Sequence, residues 1–250
     1  FFNTGSTNLL PVVEVTGRLR GSGIIVLYNG KPAVITNSHN LQGMKSARIR
    51  MPGHRVDYYD FQSNQSVNRI LTFDRRFDVL IDDPLHDFAI ISLDEKLPPE
   101  DLKIMRAIGW KSGNLCDKAE CKQGWVASDR YLDFSTDLRV ALNGKIEKIL
   151  LIEGLNAGLI DDTLISGEKR KIIQIPVYSR PGVSGGGFYV RGVLAGLVTK
   201  VSLSGLPETY ATPFTEIGKI LKAGPPKGIT SRWENGELHV NINGIEIVQK

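Results

Sequence analysis

The run Pro181-Gly182-Val183-Ser184-Gly185-Gly186-Gly187 sets one serine among glycines, at a density too costly for a helix or a regular strand interior. It predicts a tight turn that feeds a buried hairpin, Phe188-Tyr189-Val190 and Val193-Leu194-Ala195-Gly196-Leu197-Val198. On such a turn the amides of Gly182 and Ser184 can point the same way. They then form a small anion-binding cup with the Ser184 hydroxyl at its edge, which suits attack on a carbonyl and stabilisation of the resulting oxyanion. A serine nucleophile needs a base, and an imidazole base needs a carboxylate to fix its tautomer. His39 follows the apolar run Pro32–Thr36, and Asp87 precedes Phe88–Leu93. Each residue also has a plainer reading: a capping serine, a polar cap on a strand end, a turn aspartate, with Asp78, Asp82 and Asp83 as equivalents. His86 is a rival base, but strand alternation sets it on the face opposite Asp87 and predicts that it is exposed. His54 and His239 have no motif around them.

At 250 residues the chain accommodates one large β protein or two smaller units sharing a cleft. Hydrophobic residues at 41% and charged residues at 23% are ordinary for a globular protein. No apolar run reaches membrane-spanning length. A net charge of +4 is too small and too scattered to argue nucleic-acid binding, and Lys169-Arg170-Lys171 reads as a solvated strand start. Cys116 and Cys121 lie in a polar stretch, where a local disulfide is the better reading and implies export to an oxidising compartment, periplasmic or extracellular. Zinc would need further His or Cys ligands nearby, so no metal is expected.

The surrounding texture is β: short apolar runs cut by Gly, Asn and Pro. Residues 1–10 read as an arm. Strands are expected at Val12–Gly17, Gly23–Tyr28, Pro32–Thr36, Ala47–Arg50, Ser66–Ile70, Arg76–Leu80 and Leu85–Leu93. Asn29-Gly30 marks a hairpin. Pro98-Pro99 and the polar residues after it read as a connector. Beyond it come Gly124–Ala127, Lys148–Ile152, Lys171–Ile175, the serine turn and Tyr210–Pro213. Residues 153–168 read as a long surface loop. Thr215–Lys222 has helical spacing. From Ile229, Asn235-Gly236 and Asn243-Gly244 predict a three-stranded meander, too small to stand alone.

Gly21-Ser22-Gly23, Ile35-Thr36-Asn37-Ser38-His39, Asp87-Phe88-Ala89-Ile90-Ile91-Ser92-Leu93 and Gly182-Val183-Ser184-Gly185-Gly186 together resemble the trypsin-like (chymotrypsin-fold) serine peptidases, most closely the bacterial HtrA/Deg branch. The order His, Asp, Ser is that of chymotrypsin. The resemblance spans about residues 12–222 and implies an all-β fold of two six-stranded antiparallel β-barrels, with the active site between them. Residues 11–100 would form the first barrel, with His39 and Asp87. Residues 101–222 would form the second barrel and a C-terminal helix, with Ser184, and 223–250 a meander extension. His39 would be the general base, Asp87 its orienting carboxylate and Ser184 the nucleophile. The Gly182 and Ser184 amides would form the oxyanion hole.

Departures from the family pattern carry information. Val183 stands where digestive enzymes place an aspartate, so activation by a salt bridge to a new N-terminus is excluded. Tyr178, at a position that often floors the P1 pocket, removes the charge partner for Lys or Arg and favours a neutral P1 residue. Thr199, Lys200 and Val201 would pair with extended substrate. No PDZ module follows, and Phe1-Phe2 offers an oligomerisation arm by analogy with the branch. The sequence reading is therefore an exported serine endopeptidase without cofactor, acting on polypeptides and able to form homo-oligomers through the arm or the tail. The alternatives are a catalytically silent binding scaffold and an assembly module. An esterase of another fold would present its serine on a strand-to-helix elbow, whereas this serine leads into a hairpin.

Overall fold

A computed structural model describes residues 12–60, 64–93, 96–108, 125–127, 149–151, 158–175, 182–190, 193–202 and 208–249. The first barrel is built from β1 (Val12–Thr16), β2 (Arg20–Tyr28), β3 (Lys31–Thr36), β4 (Ser46–Asp60), β5 (Gln65–Asp83) and β6 (Phe88–Ser92). It closes in the order β1-β2-β3-β6-β5-β4, every pairing antiparallel. Asn29 and Gly30 both have positive φ (50° and 76°), the conformation that a two-residue hairpin turn needs to match strand twist.

The apolar doublets in these strands follow from burial on two faces. Val13, Val15, Ile25, Val34 and Ile91 fill the barrel interior. Their neighbours Val12, Ile24, Val26, Ile35 and Ile90 point the other way, against Leu197 of the second sheet and Ile217 of the C-terminal helix. Successive side chains on a strand alternate faces, so a strand covered on both sides reads as a continuous apolar run. The barrel mouth is plugged by the helix at Pro99–Ile108, whose Leu102, Ile104 and Met105 join the interior cluster. That helix occupies the stretch expected to be a plain connector. Its apolar residues are too few for the sequence to reveal it, and barrel docking supplies what propensity lacks.

The helices, in chain order, are α1 (Ser38–Leu41), α2 (Pro99–Ile108) and α3 (Phe214–Ala223). The second sheet contains β7 (Trp125–Ala127), β8 (Ile149–Leu151), β9 (Gly158–Thr163), β10 (Lys169–Ile175), β11 (Gly187–Val190), β12 (Val193–Ser202) and β13 (Glu208–Pro213). Its order is β8-β7-β11-β12-β13-β10-β9, seven strands among the described residues where six were expected. The extra one is β9, inside the stretch read as a surface loop. Asp161 and Asp162 hid it from the sequence, and cross-strand pairing with Lys171 and Arg170 makes them compatible with a strand. The two segments expected at Ser66–Ile70 and Arg76–Leu80 are one strand, β5, paired with β4 from Gln65 to Asp78 and with β6 from Val79 to Asp83.

The tail forms a separate three-stranded sheet of β14 (Ile229–Glu234), β15 (Glu237–Ile242) and β16 (Ile245–Gln249), with Asn-Gly turns at both expected positions. It packs on the main body: Leu238 and Val240 are buried against Leu85 of the first barrel and Leu164 of the β9–β10 turn. Ser231 Oγ accepts a hydrogen bond from the Leu85 amide at 3.1 Å.

Phe77 is 1% exposed and meets Phe73 edge-to-face at 5.8 Å inside the first barrel. Phe77→Ala is expected to destabilise the protein by about 3–5 kcal/mol, read as a shift of the denaturant midpoint.

Candidate active site

His39 lies on the one-turn helix α1, directly after β3 delivers the chain out of the core. Asp87 ends the β5–β6 turn with φ 56°, a left-handed conformation that aspartate tolerates better than most residues. Asn37 Nδ2 donates to the Asp87 carbonyl at 2.9 Å, so the polar cap of one strand pins the turn that precedes another. The Asp87 carboxylate accepts from the His39 amide at 3.0 Å and meets His39 Nδ1 at 2.9 and 3.0 Å. This fixes both ring orientation and tautomer, since Nδ1 must carry the proton that faces a carboxylate. Burial pulls the His39 pKa down, but the charge of Asp87 and its hydrogen bond outweigh that and hold it above the ordinary 6.5. A raised histidine pKa stabilises the folded state at acid pH, and the contribution is lost as pH rises through the folded value.

Ser184 reaches the same junction through its main chain. Its carbonyl accepts from the Ser22 amide at 2.8 Å and from Asn40 Nδ2 at 3.3 Å, so it is bound to the neighbour of His39. Ser22 Oγ donates to the Gly182 carbonyl at 3.0 Å, and Thr36 Oγ1 donates to the Ser22 carbonyl at 2.7 Å. These bonds to Ser184 run through its carbonyl rather than its hydroxyl. The glycines of the loop follow from this proximity. Gly182 and Gly185 have φ of 94° and 86°, and a Cβ on Gly185 would stand 1.9 Å from the Ser22 carbonyl oxygen. The loop is closed by Gly186 N to Val183 O at 2.8 Å and by Gly185 N to Val198 O at 2.9 Å. Neither the Gly182 nor the Ser184 amide donates to another backbone group among the described residues.

Thr199 is buried and donates to the Tyr210 carbonyl at 3.3 Å, beside an irregularity in the β12–β13 register. Lys200 points outward, its Nζ 5.2 Å from the Tyr210 ring centroid and 3.8 Å from Asp162. Val201 pairs with Thr209. Tyr178, Cys116, Cys121 and the Phe1-Phe2 arm lie outside the described residues.

His86 overturns its expectation. It is 2% exposed, not solvated, because Pro84, Leu85, His86 and Asp87 form a turn where strand alternation does not apply. Its Nδ1 is 2.8 Å from Asp83 and its Nε2 is 3.4 Å from Glu168 of the β9–β10 turn. Burial lowers its pKa, but Asp83 and then Glu168 raise it further, to a net value above the ordinary 6.5. The Asp83 hydrogen bond and the nearby Glu168 carboxylate set His86 between the first barrel and the β9–β10 turn.

Sequence reasoning gave no role to three contributors: Ser22, although it stands in the Gly21-Ser22-Gly23 motif, and Asn40 and Trp233, which had no signal beyond their type. Ser22, Asn40 and Trp233 are distant from the serine loop along the chain, and the first two hold it. Trp233 Nε1 donates to Ser38 Oγ at 2.8 Å, and Ser38 donates to Asp82 at 2.5 Å. The tail thus grips the helix that carries His39. Burial raises the Asp82 pKa despite the Ser38 hydrogen bond and Lys45, with Asp83 and Asp87 adding repulsion.

No family model matches the chain, and no curated protein does. Solved structures do. An HtrA-type protease, AlgW with a tripeptide, superposes with a TM-score of 0.56 at 16% identity, covering 92% of this chain and 67% of that one. The inactive form of the Rv3671c protease gives 0.53 at 18% identity over 89% and 92%. Its active form, from M. tuberculosis, gives 0.51 at 16% over 90% and 86%. A closed antiparallel barrel followed by a second antiparallel sheet is the trypsin-like fold, and this chain has it. Its similarity to solved proteins is to HtrA-type and related proteases.

Gly185→Ala is expected to cost about 3 kcal/mol or more, through positive φ and the close Ser22 carbonyl together. Thermal unfolding of this variant against Gly218→Ala, where an added Cβ meets open space, isolates the effect.

Proposed function

We propose that this protein is a serine endopeptidase that hydrolyses peptide bonds through an acyl-enzyme. The observation that carries the reading is the His39–Asp87 pair, formed at the same junction to which Ser22 and Asn40 bind the Ser184 carbonyl. In this reading His39 Nε2 takes the Ser184 proton as the hydroxyl attacks the scissile carbonyl. Asp87 stabilises the imidazolium that forms, and the Gly182 and Ser184 amides receive the oxyanion. His39 then returns the proton to the leaving amine, and water resolves the ester by the same steps. Fold similarity to proteases supports the substrate class. The absence of an acidic residue at Tyr178 favours a neutral P1 side chain. Two cysteines separated by four residues in a polar stretch favour a disulfide and export.

A second reading is a silent scaffold that binds polypeptides through the same cleft. What favours it is that the serine loop is tied to the first barrel by its main chain rather than by its hydroxyl.

A fluorophosphonate probe separates the two. Labelling of the wild type, lost in Ser184→Ala and His39→Ala, is the expected result; an unlabelled wild type leaves the scaffold reading standing. Peptide hydrolysis is expected to fall at least about 10⁴-fold in Ser184→Ala, and about as far in Asp87→Asn, where the wrong histidine tautomer is favoured.

The neutral imidazole is the working form, so kcat/KM is expected to fall as pH drops through a value above 6.5. Asp87→Asn removes the two influences that raise His39 and should move that limb to lower pH. A pH–rate profile of both proteins checks it.

A further inference from the structure

The short helix that carries His39 cannot hold itself. Its four residues close a single turn, too little to be stable alone. Asn37 at its N-terminus makes no capping hydrogen bond, and its side-chain amide donates to the Asp87 carbonyl instead. The position of α1 is therefore set by what its side chains touch. Ser38, fully buried, touches two elements distant from it in the chain. Its Oγ accepts from Trp233 Nε1 of β14 at 2.8 Å and donates to Asp82 Oδ1 of β5 at 2.5 Å. An indole N–H only donates and a carboxylate only accepts, so the hydroxyl between them has one direction open to it. We propose that Trp233, Ser38 and Asp82 form a positioning chain, through which the C-terminal meander keeps His39 in register with Asp87. The consequence for turnover rests on the peptidase reading.

The chain clips α1 to a single connection at both of its ends. Asp82 stands at the end of β5 and Asp87 directly before β6. Ser38 and His39, neighbours in sequence, thus bind either side of the same turn. The tail supplies the hold from outside. A Cβ on Gly43, two residues past α1, would stand 3.6 Å from the Trp233 carbonyl oxygen, and one on Gly236 would stand 3.8 Å from Gln42 Oε1. The β14–β15 hairpin therefore lies against the start and the end of α1. Trp233 and His39 also share the wall of one open cavity of about 790 Å³. Asn40, on the same helix, donates to the Ser184 carbonyl at 3.3 Å, so a shift of α1 disturbs the base and the serine loop together.

Asp82 serves here as an acceptor rather than as a charge. Burial raises its pKa, and Asp83 and Asp87 repel its ionised form. The charge that raises His39 is that of Asp87. An amide oxygen at position 82 would accept the same bond from Ser38.

The test reads His39 directly in the full chain, by proton NMR of its Nδ1–H and by titration of its ring. In the wild type the Nδ1–H resonance is expected far downfield and the ring to titrate above 6.5. Trp233→Phe keeps an aromatic ring against Leu238 and Val240 but removes the donor. It is expected to broaden the resonance and move the titration to lower pH, because the Asp87 contact loosens while burial persists. Peptide kcat is expected to fall about tenfold with KM little changed. Ser38→Ala should act in the same direction, and the double variant should add little to it, since both break one chain. Asp82→Asn is expected to recover most of what Asp82→Ala loses. Arg232→Ala removes ion pairs to Glu234 and Glu246 within the tail and controls for a loosened meander; it should leave His39 unchanged. A His39 resonance and titration unmoved by Trp233→Phe, a loss confined to KM, or an equal effect of Arg232→Ala overturns the proposal. A wild type that hydrolyses no peptide while the NMR pattern holds removes the peptidase reading and leaves the positioning chain.

Discussion

The clasp between Ser22 and the serine loop is the contact on which the site depends. Two hydrogen bonds leave one residue of β2, from the amide to the Ser184 carbonyl and from the hydroxyl to the Gly182 carbonyl. Thr36 and Asn40 complete it from β3 and α1. Because the Ser22 amide bonds the Ser184 carbonyl directly, main chain to main chain, strand and loop lie too close to admit a side chain between them. That is why the loop carries glycine at 185, and why Gly21 sits where a Cβ would strike the Asn40 amide at 2.4 Å. Buried polar groups are costly unless paired, and here each pairing also joins the two halves of the fold.

Around this clasp the barrel and the second sheet divide the work. The first holds the His39–Asp87 pair on a short helix and a turn, each braced by the polar residue beside it. The second presents Ser184 on a loop whose own backbone bonds close it. Neither half alone contains a complete constellation. The apolar cluster that joins Val12, Ile24, Ile35 and Phe88 to Leu197 and Ile217 therefore does more than bury surface: it sets how the half that carries His39 and Asp87 lies against the half that carries Ser184.

The tail adds a third participant. A small meander gains stability from what it packs against, and here it packs against the turn that precedes Asp87 and the turn between β9 and β10. Trp233 extends that docking to Ser38, one residue from His39. A segment that looks peripheral along the chain thereby both steadies the helix that carries His39 and lines the cavity beside it.

Residue type and local spacing determined a good deal. Glycine density around Ser184 announced a strained turn, three Asn-Gly pairs placed three hairpins, and apolar doublets marked strands buried on both faces. Those signals are local because backbone conformation is a local property. What lay outside them depended on distance in space. His86 reads as an exposed strand residue until the turn places it between Asp83 and Glu168, and β9 reads as loop until Lys171 and Arg170 answer its aspartates. The helix at Pro99–Ile108 needs the barrel mouth to bury its face. Ser22, Asn40 and Trp233 acquire their roles only when segments far apart in sequence meet. A hydrogen bond across such a separation leaves no periodicity in the chain that makes it, so tertiary structure alone decided which polar residues hold the site.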